Sequence, residues 1–309
     1  MKILITGIHG FVGSNLTEAL KEKNILYGLD ILNHPKEGIE KTYLWSEVEA
    51  LPEVDIIIHL AGKAHDTKGT SDADVYFKIN TGLTQQIYDH FLQSNAQKFI
   101  FFSSVKAAAN TVETDILTED VIPHPVGAYG ESKIKAEQYI LGKEISEGKR
   151  YYIFRPCMIH GPGNKGNLNL LFGFIRKGIP YPLGIYDNKR SFTSIDNLCF
   201  IIEHLIAKKA DSGIYNIGDD EPLSTNQLIG LMCKALDKKV RIWNVPKNLI
   251  LLGTKCGDIL HFPLNTFRLN KLTENYVVSN NKIKSAIGVD KLPVSSSDGI
   301  IKTIKSFKQ

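Results

Sequence analysis

A tyrosine and a lysine four residues apart, Tyr129 and Lys133, could transfer protons if they share a helix. At this spacing the two side chains lie on one helix face, a turn apart. An ammonium group beside a phenol favours the phenolate, so we predict that the pKa of Tyr129 falls from about 10 toward neutrality. Such a tyrosine could take up and release a proton at physiological pH. The spacing arises by chance in many helices, so its meaning depends on the residues beside it.

Two serines, Ser103 and Ser104, follow the apolar run Phe99–Phe102. The run predicts a buried strand, and open α/β sheets bind ligands at the carboxyl ends of their strands. A hydroxyl at that place could hydrogen-bond a substrate oxygen that gains or loses a proton. Tyr129 comes 25 residues after Ser104, which fits one loop and the start of a helix. The serine and the tyrosine together indicate redox chemistry on an alcohol.

The segment TGIHGFVG, residues 6–13, follows a predicted strand and opens a predicted helix. Gly7 would permit the tight turn, Gly10 would let the backbone approach a pyrophosphate, and Gly13 would let helix and sheet pack closely. The amino terminus of the helix would then face the phosphates. This context predicts a dinucleotide site.

Asp30 ends the second predicted strand, 23 residues after Gly7. A carboxylate there accepts hydrogen bonds from the ribose diol of an adenosine and repels a 2′-phosphate. NAD is therefore the predicted cofactor rather than NADP, although Lys36 follows closely in the sequence. His59, which ends the next predicted strand, is interpreted as a packed side chain.

The first half of the chain alternates short apolar runs with longer helical patterns, which indicates a parallel sheet covered on both faces. We predict an α/β fold: a doubly wound Rossmann sheet over residues 1–160, to which 191–218 return, and a smaller C-terminal α+β substrate lobe over 161–309. The predicted strands are Lys2–Thr6, Ile25–Asp30, Asp55–Leu60, Lys98–Phe102, Tyr151–Arg155 and Ile214–Ile217. The predicted helices are Phe11–Glu22, Val75–Gln93, Tyr129–Ile145, Ile195–Lys208, one from Ser224 or Thr225 to about Leu236, and one within Leu292–Lys308.

The composition excludes several classes of protein. With 309 residues, 43% of them hydrophobic and 23% charged, the chain is neither disordered nor fibrous. The net charge of +4 comes without a basic block, so no nucleic-acid partner is expected. The four cysteines lack metal-ligand spacing, so we expect reduced thiols, no metal site and a cytoplasmic protein. No apolar run approaches the roughly 18 residues that a membrane span needs, so no membrane partner is expected.

The motifs occur in a characteristic order: TGIHGFVG, Asp30, HLAG at 59–62, the two serines, and YGESK at 129–133. In this order they resemble the extended short-chain dehydrogenase/reductase family, over nearly the whole chain. The resemblance implies an enzyme in which Tyr129 exchanges the hydroxyl proton, Lys133 lowers its pKa and holds the nicotinamide ribose, and Ser104 orients the substrate oxygen. The cofactor-binding residues that it implies are Gly7, Gly10, Phe11, Val12, Gly13, Asp30, Leu60, Ala61, Gly62, Asn80, Tyr129 and Lys133.

The second half narrows the resemblance to enzymes of nucleotide sugars. RPCMIHGPG at 155–163 is similar to a segment of those enzymes, with His160 where tyrosine is common. RSFTSIDN begins with Arg190, at a position where an arginine grips the substrate diphosphate, and a guanidinium suits that task because it binds two phosphate oxygens at once. The substrate-binding residues that the resemblance implies are Ser104, Tyr129, Asn167, Leu183 and Arg190.

Three functions compete. The first is an NAD-dependent 4-epimerase that converts a UDP-hexose or UDP-N-acetylhexosamine through a transient 4-keto intermediate, as in bacterial polysaccharide clusters. The second is an NAD(P)H-dependent reductase of a UDP-4-keto-6-deoxy-sugar, and the third is a non-catalytic NAD-binding sensor. The intact tyrosine and lysine disfavour the sensor, and Asp30 favours the epimerase because reductases that exchange their cofactor more often use NADP. The family's dehydratases carry an acid and a base where this chain has Val105-Lys106.

The resemblance also implies a homodimer, in which helices from two copies form a four-helix bundle. The helices predicted at 75–93 and 129–145 would supply it.

Overall fold

Continuous apolar segments form the centre of the protein, because a parallel sheet buries both faces of its strands. The computed structural model describes residues 1–63, 72–164, 166–260 and 265–307. The strands are β1 (Lys2–Thr6), β2 (Ile25–Asp30), β3 (Lys41–Leu44), β4 (Ile56–His59), β5 (Lys98–Phe102), β6 (Arg150–Pro156), β7 (Met158–His160), β8 (Phe192–Ser194) and β9 (Gly213–Ile217).

Seven of these strands form one parallel sheet in the order β3-β2-β1-β4-β5-β6-β9, and β7 pairs with β8 in a small second sheet. The chain runs outward from β1 toward β3 and then returns through β4 to the other side. This reversal opens a crevice beyond the carboxyl ends of β1 and β4, which is where doubly wound sheets bind ligands.

Helices cover both faces of the large sheet and build most of the second lobe. They are α1 (Phe11–Leu20), α2 (Ala73–Tyr76), α3 (Leu83–Gln93), α4 (Val105–Ala108), α5 (Ala128–Leu141), α6 (Asn167–Arg176), α7 (Ile195–Ala207), α8 (Thr225–Leu236), α9 (Lys247–Leu260), α10 (Thr266–Thr273), α11 (Asn281–Ile287) and α12 (Ser296–Ser306). No helix in the described ranges combines the length and the apolarity needed to cross a bilayer.

Of the four hydrophobic clusters among the described residues, the three largest hold these layers together. On one face of the sheet, α1, α7 and α11 bury side chains such as Leu16 and Ile202. On the other face, α3 and α5 bury Tyr88 and Ile140. The second lobe has a core of its own, to which α6, α8, α10 and α12 contribute, with Met232 fully buried at its centre. The predicted fold class, a doubly wound sheet with helices on both faces, is confirmed.

Several element bounds differ from the prediction. The helix predicted over Val75–Gln93 is α2, a π-helical turn over Phe77–Gly82, and α3. Helix α5 ends at Leu141 rather than Ile145, because Gly142 caps it. Strands β3, β7 and β8 and helices α4, α6, α9, α10 and α11 were not predicted; β3 is a short edge strand with a half-polar sequence, KTYL.

Candidate functional site

Three loops leave the carboxyl edge of the sheet side by side. Thr6 lies in register with His59, and His59 with Phe101, so the ends of β1, β4 and β5 are neighbours. The Thr6 hydroxyl accepts a hydrogen bond from the amide of Ala61 at 3.0 Å and bonds to the Nδ1 atom of His59 at 2.7 Å. His59 is fully buried, so it packs as expected, and it ties the glycine-rich turn to the HLAG segment.

The glycine-rich turn has the geometry of a phosphate cradle. Gly7 has a φ of +71°, and a Cβ there would lie 2.9 Å from the amide nitrogen of Ala61. A Cβ on Gly13 would lie 2.4 Å from the carbonyl oxygen of Gly7, so only glycine lets α1 pack this closely on the turn. Helix α1 starts after Gly10, and no side chain among the described residues caps its amino terminus. The amides of its first turn can therefore bind an anion.

Asp30 stands beside this turn at the end of β2. Its Oδ2 atom accepts the amide of His9 at 3.0 Å and its Oδ1 atom accepts the amide of Ile31 at 2.7 Å, which fix the orientation of the carboxylate. Lys36 donates to the carbonyl oxygen of Ile8 at 2.8 Å and to the hydroxyl of Ser14 at 2.7 Å, so its ammonium is engaged by the turn itself. An uncapped helix start and an oriented carboxylate fit the pyrophosphate and adenosine ribose of NAD.

The hydroxyl groups of Ser104 and Tyr129 share a hydrogen bond. Ser104 caps the short helix α4 and accepts the amide of Lys106 at 3.2 Å, so its position is fixed by the backbone. The ring of Tyr76 meets the Tyr129 ring edge-on, with centroids 6.3 Å apart. The structure thus brings together the serine and tyrosine that the sequence places 25 residues apart.

The predicted effect of the lysine on the tyrosine is wrong for the ligand-free protein. Burial raises the pKa of Tyr129 above its ordinary value, while the hydrogen bond to Ser104 acts in the opposite direction. The Lys133 ammonium donates to the carbonyl oxygen of Phe102 at 2.7 Å. Sequence spacing correctly put both residues on α5, but it could not show that burial has the largest effect on the pKa of the phenol.

Lys133 is also buried, and burial lowers its pKa to about 8, with Glu137 acting in the opposite direction. A Cβ on Gly62 would lie 3.1 Å from the Lys133 Nζ atom and 3.0 Å from the Oδ1 atom of Asn80. Gly62 therefore lets the HLAG loop pass close to the lysine. The space above the loop is where a cofactor crossing the sheet edge would meet the lysine.

Asn80 lies in the π-helical turn and is fully buried. Its Oδ1 atom accepts the amide of Lys63 at 2.7 Å, and its Nδ2 atom donates to the hydroxyl of Ser132 at 3.0 Å. The side chain thus connects the HLAG loop to α5. In this structure Asn80 positions two cofactor-side elements and directs its polar atoms at the protein.

A buried ion pair, which the sequence analysis did not single out, anchors α5 to the sheet. Glu137 accepts hydrogen bonds from Arg155 of β6, the shorter from Nη2 at 2.6 Å, and also bonds to the Ser103 hydroxyl. Both charged side chains are almost completely buried. Tyr129, Lys133 and Glu137 follow one another at four-residue intervals, which is the sequence signal that could have revealed this pair.

Three cations gather around the Glu274 carboxylate, and only Arg190 among them was predicted. Arg190 donates to the carbonyl oxygen of Lys271 at 3.1 Å, and Lys271 lies 3.4 Å from Glu274. The Lys106 ammonium lies 4.1 Å from the centroid of the Tyr276 ring. Burial lowers the pKa of Lys106 to about 8, and Lys271 and Arg190 contribute to this shift whereas Glu274 opposes it. We call Lys106, Arg190 and Lys271 the cation cluster.

The other predicted residues are placed as follows. Phe11 and Val12 begin α1 and pack against the first core, and Leu60 is partly buried against the same core. Leu183 is only 2% exposed because its side chain packs into the core of the second lobe, so it can meet a ligand through its backbone alone. Asn167 is the first residue of α6, and its side chain lies outside the described part of the chain.

The chain is similar in sequence to known 4-epimerases. The chain is 30% identical to a UDP-glucose 4-epimerase of Vibrio cholerae, over 99% of this chain and 95% of that protein. It is 25% identical to an N-acetyl-α-D-glucosaminyl-diphospho-ditrans,octacis-undecaprenol 4-epimerase of Escherichia coli O157:H7, over 98% and 94% of the two chains.

Among solved structures, the fold is similar to that of a UDP-glucuronic acid 4-epimerase from Bacillus cereus in complex with NAD. The TM-score is 0.76 at 21% identity, covering 100% of this chain and 99% of that one. The sequence profile of the NAD dependent epimerase/dehydratase family matches residues 3–218, which include the glycine-rich turn, Ser104, Tyr129 and Lys133. The chain therefore belongs to the NAD-dependent epimerase/dehydratase family.

Proposed function

We propose that this protein is an NAD-dependent 4-epimerase of a UDP-hexose or a UDP-N-acetylhexosamine, acting through a transient 4-keto intermediate. The observation that carries the proposal is the hydrogen-bonded pair of Ser104 and Tyr129, which lies at the sheet edge beside the buried Lys133. The name of the Vibrio cholerae relative supports the same reaction, since that protein is a UDP-glucose 4-epimerase and spans the whole chain.

Each residue of the pair has a defined task. When bound, NAD supplies a hydride acceptor and a positive charge near Tyr129. Tyr129 would remove the proton from the sugar O4 as C4 gives its hydride to the cofactor, and it would return the proton to O4 as C4 regains the hydride on its other face. Ser104 holds the same oxygen through its hydroxyl. Burial raises the pKa of Tyr129, and a cation placed beside the phenol would lower it.

The cation cluster suits the diphosphate of the substrate. Its three cations share one carboxylate, Glu274, so the site has an excess of positive charge that an anion would balance. Lys106 follows Ser104 by two residues, so the cation cluster and the proposed reacting hydroxyl are contributed in part by the same short segment. The name of the Escherichia coli relative also contains a sugar joined to a diphosphate. This agrees with a site that recognises the diphosphate rather than the group beyond it.

The reductase is the second candidate, because a reductase would use the same tyrosine and serine once per turnover. Asp30 favours the epimerase, since its oriented carboxylate matches NAD. A dehydratase lacks its acid and base here: the Lys106 ammonium donates to the carbonyl oxygen of Asn110 at 2.8 Å and stacks on Tyr276.

The deciding experiment incubates the purified protein with UDP-glucose, UDP-GlcNAc and UDP-GalNAc without added NADH and follows the anomeric protons by NMR. The epimerase converts at least one of these sugars into its C4 epimer. Absence of interconversion, together with NAD(P)H consumption in the presence of a UDP-4-keto-6-deoxy-sugar, would establish the reductase instead.

We also propose that the protein is a homodimer joined through α3 and α5, whose outward side chains include Gln86, Lys135 and Leu141. Sedimentation velocity should show a particle of twice the 34.5 kDa chain mass. A single-chain particle at micromolar concentration would contradict the dimer.

A further inference from the structure

The second lobe exposes apolar side chains that the proposed chemistry does not use. Trp243 is 60% exposed, Leu249 60% and Leu252 61%, and Val240 also projects into solvent. Leu249 and Leu252 are on the outer side of α9, since Ile250 and Thr254 are its buried residues among those whose side chains the structure describes. We call Val240, Trp243, Leu249 and Leu252 the apolar face. Isolated exposed leucines are ordinary, but a group of this size with a tryptophan marks a binding surface.

The backbone holds this face in place. Trp243 donates its amide to the carbonyl oxygen of Tyr181 at 2.8 Å, and Tyr181 donates to that of Arg241 at 2.9 Å, so residues 241–243 pair with the Gly178–Gly184 loop. Ile179 of this loop and Ile185, which follows it, are also exposed. The apolar residues therefore belong to two paired segments and one helix.

Exposed basic residues flank the apolar face along the chain. Lys238 donates to the backbone carbonyl of Arg176 at 2.8 Å and Arg241 to that of Gly178 at 3.3 Å, so neither uses a carboxylate in these contacts. From residue 234 to residue 255 the sequence has one acidic residue, Asp237. The exposed basic residues in this range and the adjoining end of α6 are Arg176, Lys177, Lys234, Lys238, Lys239, Arg241, Lys247 and Lys255.

We propose that the apolar face docks on a lipid bilayer that contains anionic phospholipids. A leucine-bearing helix edge, a tryptophan and a rim of lysine and arginine have the composition of a surface that lies in the interfacial region of a membrane. A nucleic acid would bind the cations but would leave the leucines in water. A second copy of the chain would bring the two rims of like charge together, which is unfavourable.

The docking surface is connected to the proposed site. Helix α10 packs against α9 and carries Lys271 of the cation cluster. Asn188, two residues before Arg190, donates to the carbonyl oxygen of Leu272 at 3.3 Å. A bilayer against α9 would therefore lie one helix away from the cation cluster. The docking itself does not depend on the sugar that the enzyme converts, so it can be tested whether or not the proposed reaction is correct.

The first test is co-sedimentation of the full chain with vesicles, either of phosphatidylcholine alone or of phosphatidylcholine mixed with phosphatidylglycerol. We expect the protein to be retained on the mixed vesicles and this retention to weaken as salt is added. Replacing a lysine such as Lys239 by alanine should reduce retention by about fivefold for each lysine replaced. The double variant Leu249→Asp/Leu252→Asp should lose at least about tenfold in retention, because charged side chains are costly in the membrane interface. The control Ile25→Asp changes an exposed apolar residue at the start of β2, outside the apolar face, and should be retained like the parent.

The second test uses tryptophan fluorescence. The chain has two tryptophans, Trp45 and Trp243, so the variant Trp45→Phe leaves Trp243 as the reporter. Mixed vesicles should shift its emission to the blue. Circular dichroism of every variant excludes unfolding as the cause of lost binding.

Four outcomes would overturn the proposal. The first is absence of retention on mixed vesicles, and the second is equal retention of the parent and the double leucine variant. The third is a change in the sedimentation coefficient of the double variant in lipid-free solution, which would show that a second copy of the chain covers this face. Unchanged Trp243 emission on bound vesicles would mean that another surface is the one that docks.

Discussion

The Lys133 ammonium is hydrogen-bonded at 2.7 Å to the carbonyl oxygen of Phe102, the last residue of β5. This bond fixes the lysine on the sheet edge before any ligand arrives. Because the ammonium is buried as well as bonded, the folded ligand-free protein bears a cost for keeping it charged. This cost lowers the free energy of unfolding, which denaturation can measure.

We predict that Lys133→Met makes the ligand-free protein more stable at pH 7. The folded-state pKa of Lys133, about 8, is below its ordinary value of 10.5, so the charged lysine opposes folding at every pH below 8. This unfavourable contribution to the free energy of folding is about 3 kcal/mol at most, and it disappears as the pH rises from 8 to 10.5. The variant also loses the hydrogen bond to Phe102, which contributes about 1 kcal/mol. Its free energy of unfolding at pH 7 should therefore rise by on the order of 2 kcal/mol.

Urea denaturation at pH 7 and near pH 10.5 measures this gain, which should shrink or change sign at the higher pH. A variant that is less stable than the parent by the same amount at both pH values would show that burial does not disfavour the charged lysine. The same variant should lose catalytic activity at both pH values.

Tyr129→Phe should reduce turnover by about 10²- to 10⁴-fold, because it removes the only proton-transferring atom of the side chain. The ring and its contact with Tyr76 remain, so NAD should stay bound. Single-turnover NMR with the converted UDP-sugar and the NAD content of the purified protein are the two measurements. Activity at the parent rate would refute the proposed proton path.

Gly62→Ala should weaken NAD binding by about tenfold or more while the protein remains folded. The added methyl group would lie 3.1 Å from the Lys133 Nζ atom and 3.0 Å from Asn80, so one of these groups must move. Gly230→Ala in α8 is the matched control, since its methyl group meets no atom within 4 Å of the described structure. That control should bind NAD normally and gain about 0.5–1 kcal/mol of stability, because alanine favours a helix.

Arg190→Ala should weaken binding of UDP and of the UDP-sugar by about tenfold or more, and leave NAD binding nearly unchanged. Its neighbour Lys189, which is exposed, provides the control Lys189→Ala. Isothermal titration with UDP and with NAD separates the two ligands. Equal loss for both ligands would contradict the assignment of Arg190 to the substrate diphosphate.

The sequence predicted the centre of the fold well. Strands β1, β2 and β5 begin and end at the predicted residues, because a strand buried on both faces needs an unbroken apolar run. The resemblance to the extended short-chain dehydrogenase/reductase family, the enzyme class and NAD as cofactor are confirmed by the family match. Helix α9 was not predicted, because its exposed leucines hide the periodicity that indicates an amphipathic helix.

The sequence predicted the location of the site better than the interactions within it. Lys106 and Lys271 are far apart in the sequence, so only the folded chain shows that they share a site. The direction of the Tyr129 pKa depends on burial by α2 and α4, which spacing within α5 does not reveal. The assignment of individual residues to cofactor and substrate stays a prediction.

The Glu137–Arg155 pair limits how this enzyme can change during evolution. Adding one residue between Tyr129 and Glu137 would rotate one of them by about 100° around α5. Either the carboxylate would leave a buried guanidinium uncompensated, or the phenol would turn away from Ser104. The stretch between them can vary in composition at its exposed positions, such as Glu131 and Lys135. Insertions and deletions in it should be absent from every active descendant.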